Sequence, residues 1–216
     1  MALLDERSCI CTKSELDIFS VNPTQTSIDS GSVVEFFPLA PLDVGPVIDF
    51  YVPGGEDYMD LANTYLCLSV KIKKQDGGNI AADSKVAPAN LIMHSLFSQV
   101  DVSLNDKLVS TSSGTYAYRA FFETLLNYSK STKKTQLTAS GWYKDTAGQM
   151  DDYNANEGLK KRAKLLEKSK TLDLIGKLHS DMFHQEKLIL GGVSMRLKLT
   201  RNKDSFVLDR KSTRLN

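Results

Sequence analysis

The chain has 216 residues, of which 41% are hydrophobic and 25% are charged. These values indicate a globular protein with a sizeable core and exclude a wholly disordered, collagen-like or polycationic chain. With 27 Lys and Arg against 26 Asp and Glu, the formal net charge is +1, which gives no overall attraction to nucleic acid or to an anionic membrane. The length predicts one large domain or two small ones.

The N-terminus and the cysteines indicate a reducing compartment without classical secretion. The first residues lack a basic stretch that leads into an apolar run, so no signal peptide is predicted, and no apolar run is long enough for a membrane span. Three cysteines are an odd number for a disulfide framework. The pair Cys9-x-Cys11 lacks the further ligands of a zinc site, so we predict no bound metal.

Alternation of apolar and polar residues predicts most of the strands. The clear segments are residues 63–74, 98–105, 107–110 and 193–200, and the weaker ones are residues 32–39 and 47–52. Because a slip of one residue would expose a whole apolar set, we expect the inward side chains of these strands to share one core. The expected core residues are Leu66, Leu68, Val70, Val100, Val102, Leu104, Leu197 and Leu199.

Two segments have the helical period instead. Residues 115–128 repeat aromatic and leucine side chains at spacings of three, four and seven, and residues 158–170 place Leu159, Ala163 and Leu166 on one side. Short strands separated by glycine, proline and aspartate turns, with two inserted loop helices, favour an antiparallel β-sandwich over alternating βαβ units. The predicted fold class is therefore mainly β.

No motif predicts catalysis. His94, His179 and His184 lack zinc-protease spacing, so we expect them to be hydrogen-bonded or surface histidines. The glycine pairs at 54–55 and 191–192 lack the lysine of a phosphate-binding loop and indicate turns. Carboxylates are plentiful but form no visible acid–base pair; they include Asp57, Asp60, Asp101, Asp151 and Asp152. We predict no enzyme activity, no catalytic residue and no cofactor.

A basic segment is the one candidate binding site. Clustered Lys and Arg side chains displace counterions from phosphates, which makes the segment 158–170 a candidate polyanion contact. The candidate residues are Lys160, Lys161, Arg162, Lys164, Lys168 and Lys170. The alternative, which the composition favours, is a solvated helix face balanced by the upstream acids Asp151, Asp152 and Glu157.

Six longer blocks of sequence, read in order, carry a family resemblance. They are residues 15–28 (ELDIFSVNPTQTSI), 60–66 (DLANTYL), 90–105 (NLIMHSLFSQVDVSLN), 116–128 (YAYRAFFETLLNY), 142–148 (WYKDTAG) and 181–190 (DMFHQEKLIL). Over residues 15–208 the chain resembles the major capsid protein of Polinton/Maverick elements and adintoviruses. Long ordered blocks make this resemblance more specific than any short motif.

The resemblance implies a double jelly roll, with two eight-stranded sandwiches in one chain, that assembles as homotrimers of pseudo-hexagonal outline. This chain then corresponds to an N-terminal arm (1–29) and the first jelly roll (30–208). The implied role is a structural shell protein of a virion, made in the host cytoplasm or nucleus. Its expected partners are neighbouring capsomers and nucleic acid on the inner surface, with no membrane span and no small-molecule substrate.

Two alternatives remain open at this point. A host-domesticated jelly-roll recognition module needs an exposed polar and aromatic cluster or a concave pocket. A metal-dependent enzyme of the cupin type shares the sandwich architecture but needs histidines on adjacent strands.

The last eight residues, 209–216 (DRKSTRLN), match one translated frame of a widely used sequencing adapter. The family resemblance stops at residue 208. We therefore predict that residues 209–216 are a non-native, disordered tail and that the natural reading frame continues into a second jelly roll.

Overall fold

The computed structural model describes residues 28–42, 45–81, 84, 86–150 and 152–210. The chain divides into two units, Met1–Glu35 and Phe36–Asn216. In the first unit the described residues, 28–35, contain no helix or strand. The predicted arm, residues 1–29, lies almost wholly outside the described residues, and all elements below belong to the second unit.

The described residues form eight strands and five α-helices. The strands are β1 (Val47–Val52), β2 (Leu66–Val70), β3 (Val86–Pro88), β4 (Phe97–Leu104), β5 (Lys107–Leu108), β6 (Leu172–Gly176), β7 (Met195–Arg201) and β8 (Leu208–Arg210). The helices are α1 (Ile92–Ser95), α2 (Tyr116–Asn127), α3 (Lys130–Lys134), α4 (Glu157–Leu165) and α5 (Asp204–Val207). Among these described helices, none has the length and apolar character needed to cross a bilayer.

The strand pairs are antiparallel throughout the described sheets. Strands β1, β7, β4 and β5 form a four-stranded sheet in that order, and β2–β6 and β3–β8 form two-stranded sheets. The pairing is nested, because β1 pairs with β7 while the intervening β2 pairs with β6. The prediction of a β-rich antiparallel fold is confirmed at this level.

One hydrophobic core joins the four-stranded sheet to the β2–β6 pair. In the four-stranded sheet, Leu197 on β7 faces Val102 on β4, and Leu199 faces Val100. From the other pair, Leu66 and Leu174 are buried in the same core. All eight residues predicted to share a core belong to it, with Leu68, Val70 and Leu104 partly buried against its edge. The alternation argument is confirmed for these residues.

The weaker strand candidate at residues 32–39 is wrong, whereas the candidate at 47–52 is β1. Residues 32–38 have no strand, and Pro38 lacks the N–H group that a ladder position needs. Leu39 donates a backbone hydrogen bond to Asp49 of β1 at 2.8 Å.

The first predicted helix is confirmed as α2, but the second is shorter than predicted. Helix α4 ends at Leu165 instead of continuing to Lys170, and a 3₁₀ turn at Glu167–Ser169 follows it. Lys168 and Ser169 have φ values of 56° and 58°. These left-handed conformations are incompatible with a continuing right-handed helix.

The two glycine pairs approach each other backbone to backbone. Gly192 donates its N–H to the carbonyl of Gly55 at 2.7 Å. A Cβ at Gly54 would lie 2.7 Å from the carbonyl carbon of Gly192, so a side chain there would force the two segments apart. The predicted turn is confirmed at residues 191–192 but not at 54–55, and the close approach of the two pairs was not predicted.

The C-terminal residues begin with a strand. The backbones of Asp209 and Arg210 belong to β8 and pair with Ala87 and Val86 of β3. The expected disorder is therefore wrong for these two residues. Residues 211–216 lie outside the described residues, and the non-native origin of 209–216 stays a prediction.

Val102 provides a test of the core. Its side chain is fully buried, so Val102→Asp places an unpaired carboxylate among apolar groups, and we expect loss of cooperative folding. The matched control is Ser103→Asp, because Ser103 is the next residue on β4 and its cross-strand partner is Arg196. Circular dichroism melting curves compare the two variants. A native-like melting transition for Val102→Asp would contradict the assigned core.

Candidate functional site

All three histidines of the chain gather in one place. His94 lies on α1, His179 lies in the segment after β6, and His184 ends a 3₁₀ turn, Asp181–His184. The rings of His94 and His179 are 4.6 Å apart in an edge-on arrangement, and those of His179 and His184 are 6.0 Å apart. Each ring has a hydrogen-bond partner, as expected, but the proximity of the three rings is not predicted by the sequence.

Tyr116, the first residue of α2, connects two of these histidines. Its hydroxyl lies 2.9 Å from Nδ1 of His94 and accepts a hydrogen bond from the backbone N–H of His179 at 3.2 Å. Both His94 and Tyr116 are buried. A buried polar group is stable only when it is hydrogen-bonded, so this pairing explains how the core accommodates the imidazole.

Glu123 connects His179 to a pair of surface charges. One of its carboxylate oxygens lies 2.7 Å from Nδ1 of His179, and the other accepts a hydrogen bond from Nε of Arg119 at 2.7 Å. The Arg119 guanidinium also pairs with Asp181, at the start of the 3₁₀ turn. The side chains of α2 therefore hold the segment after β6 through both a histidine and an aspartate.

Burial keeps two of the imidazoles neutral. It lowers the pKa of His94 well below its ordinary value, and the neighbouring His179 lowers that pKa further. Burial also lowers the pKa of His179, against the opposing effect of Glu123. Burial alone would raise the pKa of Glu123, but hydrogen bonds from His179 and Arg119 outweigh it, and this pKa is lowered. The His179–Glu123 contact at neutral pH is therefore a hydrogen bond from a neutral ring to a carboxylate.

The arrangement also brings together possible metal ligands. One ligand atom from each of Glu123, His179 and His184 lies within 4.8 Å of those of the other two. Nδ1 of His184 lies 3.0 Å from the carbonyl oxygen of Ser180. Because a carbonyl only accepts, Nδ1 donates this hydrogen bond, and Nε2 is the ring nitrogen available to bind a metal ion.

The sequence contains no local signal for this cluster, because its members lie on separate elements. A cupin-type enzyme would place its histidines on adjacent strands, whereas these lie on a short helix and on the connection after β6. The prediction that the chain is not an enzyme remains a prediction.

The basic segment is divided by the structure into one buried and five surface cations. Arg162 is 4% exposed and cannot contact a polyanion from this surface, so the prediction is wrong for this residue. Its guanidinium donates to the carbonyls of Pro88 and Tyr143, both at 3.0 Å, and forms an ion pair with Asp145 at 2.9 Å.

The burial of Arg162 follows from helix geometry. Residue 162 is three positions from Leu159 and four from Leu166, so it lies on the same side of α4 as these apolar residues. The periodicity that identified the helix therefore also carried the signal that Arg162 faces inward.

The lysines of the segment remain candidates. Lys161, Lys164, Lys168 and Lys170 are exposed, whereas Lys160 is half-buried and pairs with Glu157 at 2.9 Å. Four exposed lysines are compatible both with a polyanion contact and with a solvated helix face, so the structure does not favour either alternative.

Comparison with known proteins gives one informative match. No protein-family model matches the chain. Over 160 residues the chain is 29% identical to the uncharacterized protein F54H12.2 of Caenorhabditis elegans. The alignment covers 70% of this chain and 36% of that protein, so the chain spans about a third of the relative's length.

We expect the histidine cluster to make stability depend on pH. The pKa values of His94 and His179 lie below their ordinary value of 6.5, so the unfolded chain takes up protons first as the pH falls through 6.5. The stability contributed by the neutral rings is therefore present above pH 6.5 and is lost as the pH decreases. Urea unfolding between roughly pH 7 and pH 5, with a chelator present, measures this slope.

The variant His94→Gln removes one of the two shifted groups. We expect it to reduce the slope of unfolding free energy against pH by about half, whatever its effect on absolute stability. An unchanged slope would mean that the buried histidines do not cause the pH dependence.

The lysines are tested by DNA binding across a salt series. If they contact phosphates, replacing Lys161, Lys164, Lys168 and Lys170 with Gln reduces the slope of log affinity against log salt by about 0.9 per lost contact. The matched control replaces four exposed lysines elsewhere, namely Lys71, Lys73, Lys74 and Lys187. Equal slopes for the two quadruple variants would favour the solvated-face alternative.

Proposed function

We propose that this chain is the first jelly roll of a capsid-type shell protein, with a structural rather than enzymatic role. The nested strand pairing supports the topology. A jelly roll forms when antiparallel strand pairs wrap around a sandwich, so that early strands pair with late ones. The β1–β7 and β2–β6 pairs follow this rule, and β7 also pairs with β4.

The observation that carries the proposal is an apolar surface on α2, which we call the α2 face. Tyr118, Phe122, Leu125 and Leu126 are 56%, 57%, 45% and 77% exposed. Their spacings of four, three and one place them on one side of the helix. Contiguous exposed apolar side chains on a globular protein are typical of surfaces that another protein covers. A shell subunit, whose sides contact neighbouring domains, requires such a surface.

The cleft along β2 and β6 gives no support to a recognition module. The cleft along β2 and β6 is lined by these strands themselves. Its hydroxyl and carboxylate, Ser69 and Asp173, hydrogen-bond each other at 2.5 Å instead of converging on a ligand. A recognition pocket needs polar groups that are available to its ligand.

The length of the relative is also compatible with the proposal. More of F54H12.2 lies outside the aligned region than inside it, because the alignment covers 36% of that protein. A second jelly roll would need a further stretch of sequence outside the aligned region, and the relative has one.

Electron microscopy of the full-length protein that contains these residues tests the assembly. We expect trimeric particles of pseudo-hexagonal outline, or shells built from them. The double variant Phe122→Glu/Leu126→Glu places charges on the α2 face, and we expect it to prevent assembly while leaving the fold intact, because both side chains are exposed. The control is Asn127→Glu, at an exposed polar position at the end of the same helix.

Two outcomes would overturn the proposal. The first is a wild-type protein that stays monomeric at all concentrations and salt conditions. The second is that the double variant assembles as well as the control does. This result would exclude the α2 face as a subunit contact.

A further inference from the structure

We propose that Glu123, His179 and His184 form a binding site for a divalent cation of the zinc class. Glu123 comes from α2, and the two histidines come from the connection between β6 and β7. One ligand atom from each residue lies within 4.8 Å of those of the other two. This inference goes beyond the shell function and does not depend on it.

The donor set determines the class of cation. Imidazole nitrogens bind zinc and neighbouring transition metals, whereas magnesium and calcium prefer oxygen ligands alone. Two histidines with one carboxylate therefore favour zinc over the alkaline-earth ions. Three protein ligands leave the fourth position of a tetrahedral ion for a water molecule.

The distances allow this coordination after a small adjustment. Bonds of about 2.1 Å in a tetrahedral site hold neighbouring ligand atoms roughly 3.4 Å apart. Glu123 and His179 are already in contact, so most of the adjustment falls to His184. The side chain of His184 is exposed, so a small shift of its ring toward the other two ligands meets little resistance from packing.

The surrounding hydrogen bonds orient the ligands. Metal-binding histidines commonly donate their second ring N–H to a carbonyl or carboxylate, which fixes the ring and its tautomer. Nδ1 of His184 makes this contact with the Ser180 carbonyl. Nδ1 of His179 and the Glu123 carboxylate face each other, and a bound ion would replace the proton between them. Arg119 holds the remaining oxygen of Glu123. The Ser180 and Arg119 contacts come from residues outside the three proposed ligands.

A bound ion would join α2 to the segment after β6. The Arg119–Asp181 ion pair connects the same two parts of the chain. Because the ligands come together only in the folded state, zinc should raise the melting temperature.

Isothermal titration of the full 216-residue chain with zinc chloride tests the site. We expect one equivalent to bind, and His184→Ala to weaken binding at least about tenfold, because even outer contacts of metal ligands contribute about 10–100-fold. His184→Ala should fold normally, since the side chain is exposed. Magnesium chloride should show no saturable binding at this site.

Two controls separate this site from other ligands. His94→Gln also removes an imidazole from the cluster, but His94 is outside the ligand set, so we expect it to retain zinc affinity. Cys9→Ser/Cys11→Ser removes the cysteine pair and should retain it as well. With cobalt as the probe, an absorption spectrum without thiolate charge-transfer bands is expected.

Three results would overturn the proposal: no saturable zinc binding, binding that His184→Ala leaves unchanged, or a thiolate-type cobalt spectrum that disappears in the cysteine variant. The last result would assign the ion to the cysteine pair instead.

Discussion

Strand β7 is the element on which the four-stranded sheet depends. It hydrogen-bonds β1 on one edge and β4 on the other, although these strands lie far from it in sequence. Its inward side chains, Met195, Leu197 and Leu199, are buried in the main core. The side-chain period of a strand is two, so its register with both neighbours is set by the need to keep these three residues inside. The order of the sheet follows from this constraint.

Polar contacts attach the segment between β5 and β6 to the sheets, in addition to apolar contacts such as that of Leu166 with the main core. Asn156 is fully buried. Its side-chain oxygen accepts hydrogen bonds from the backbone N–H groups of Thr146, Gly158 and Leu159. The Arg162–Asp145 pair lies beside it and reaches β3 through the Pro88 carbonyl.

Such a network fixes one arrangement, because loss of a single partner leaves a buried charge or donor unpaired. For buried ion pairs, loss of one partner costs about 3–5 kcal/mol. The position of α4, and with it the direction of its exposed lysines, is therefore set by groups that the lysines never contact.

The parts of the fold that could be predicted from the sequence are those encoded by local periodicity. Strands β2, β4 and β7 alternate clearly, and their shared core follows from that alternation. Strand β6 has only two clearly inward residues, Leu172 and Leu174, which is too short a pattern to identify a strand by itself.

The histidine cluster could not be predicted, because it depends on tertiary convergence. His94 and Tyr116 are 22 residues apart, and Glu123 and His179 are 56 residues apart. No local pattern relates such distant positions. Arg162 differs from these residues. The helical period places it on the apolar side of α4, but its charge led to its inclusion among the surface cations.

Helix α2 connects the histidine cluster to the α2 face. Tyr116 and Glu123, seven residues apart, lie on one side of the helix and contact the histidines. Phe122 and Leu126 lie roughly a quarter-turn around the helix from them and are exposed. A neighbouring domain that covers the α2 face would therefore approach a helix already held on an adjacent side by ion pairs and hydrogen bonds. A helix fixed in this way loses less conformational freedom on association, which lowers the free-energy cost of forming the contact. In the proposed shell, the polar cluster would thus hold in place the helix whose apolar surface forms the subunit contact.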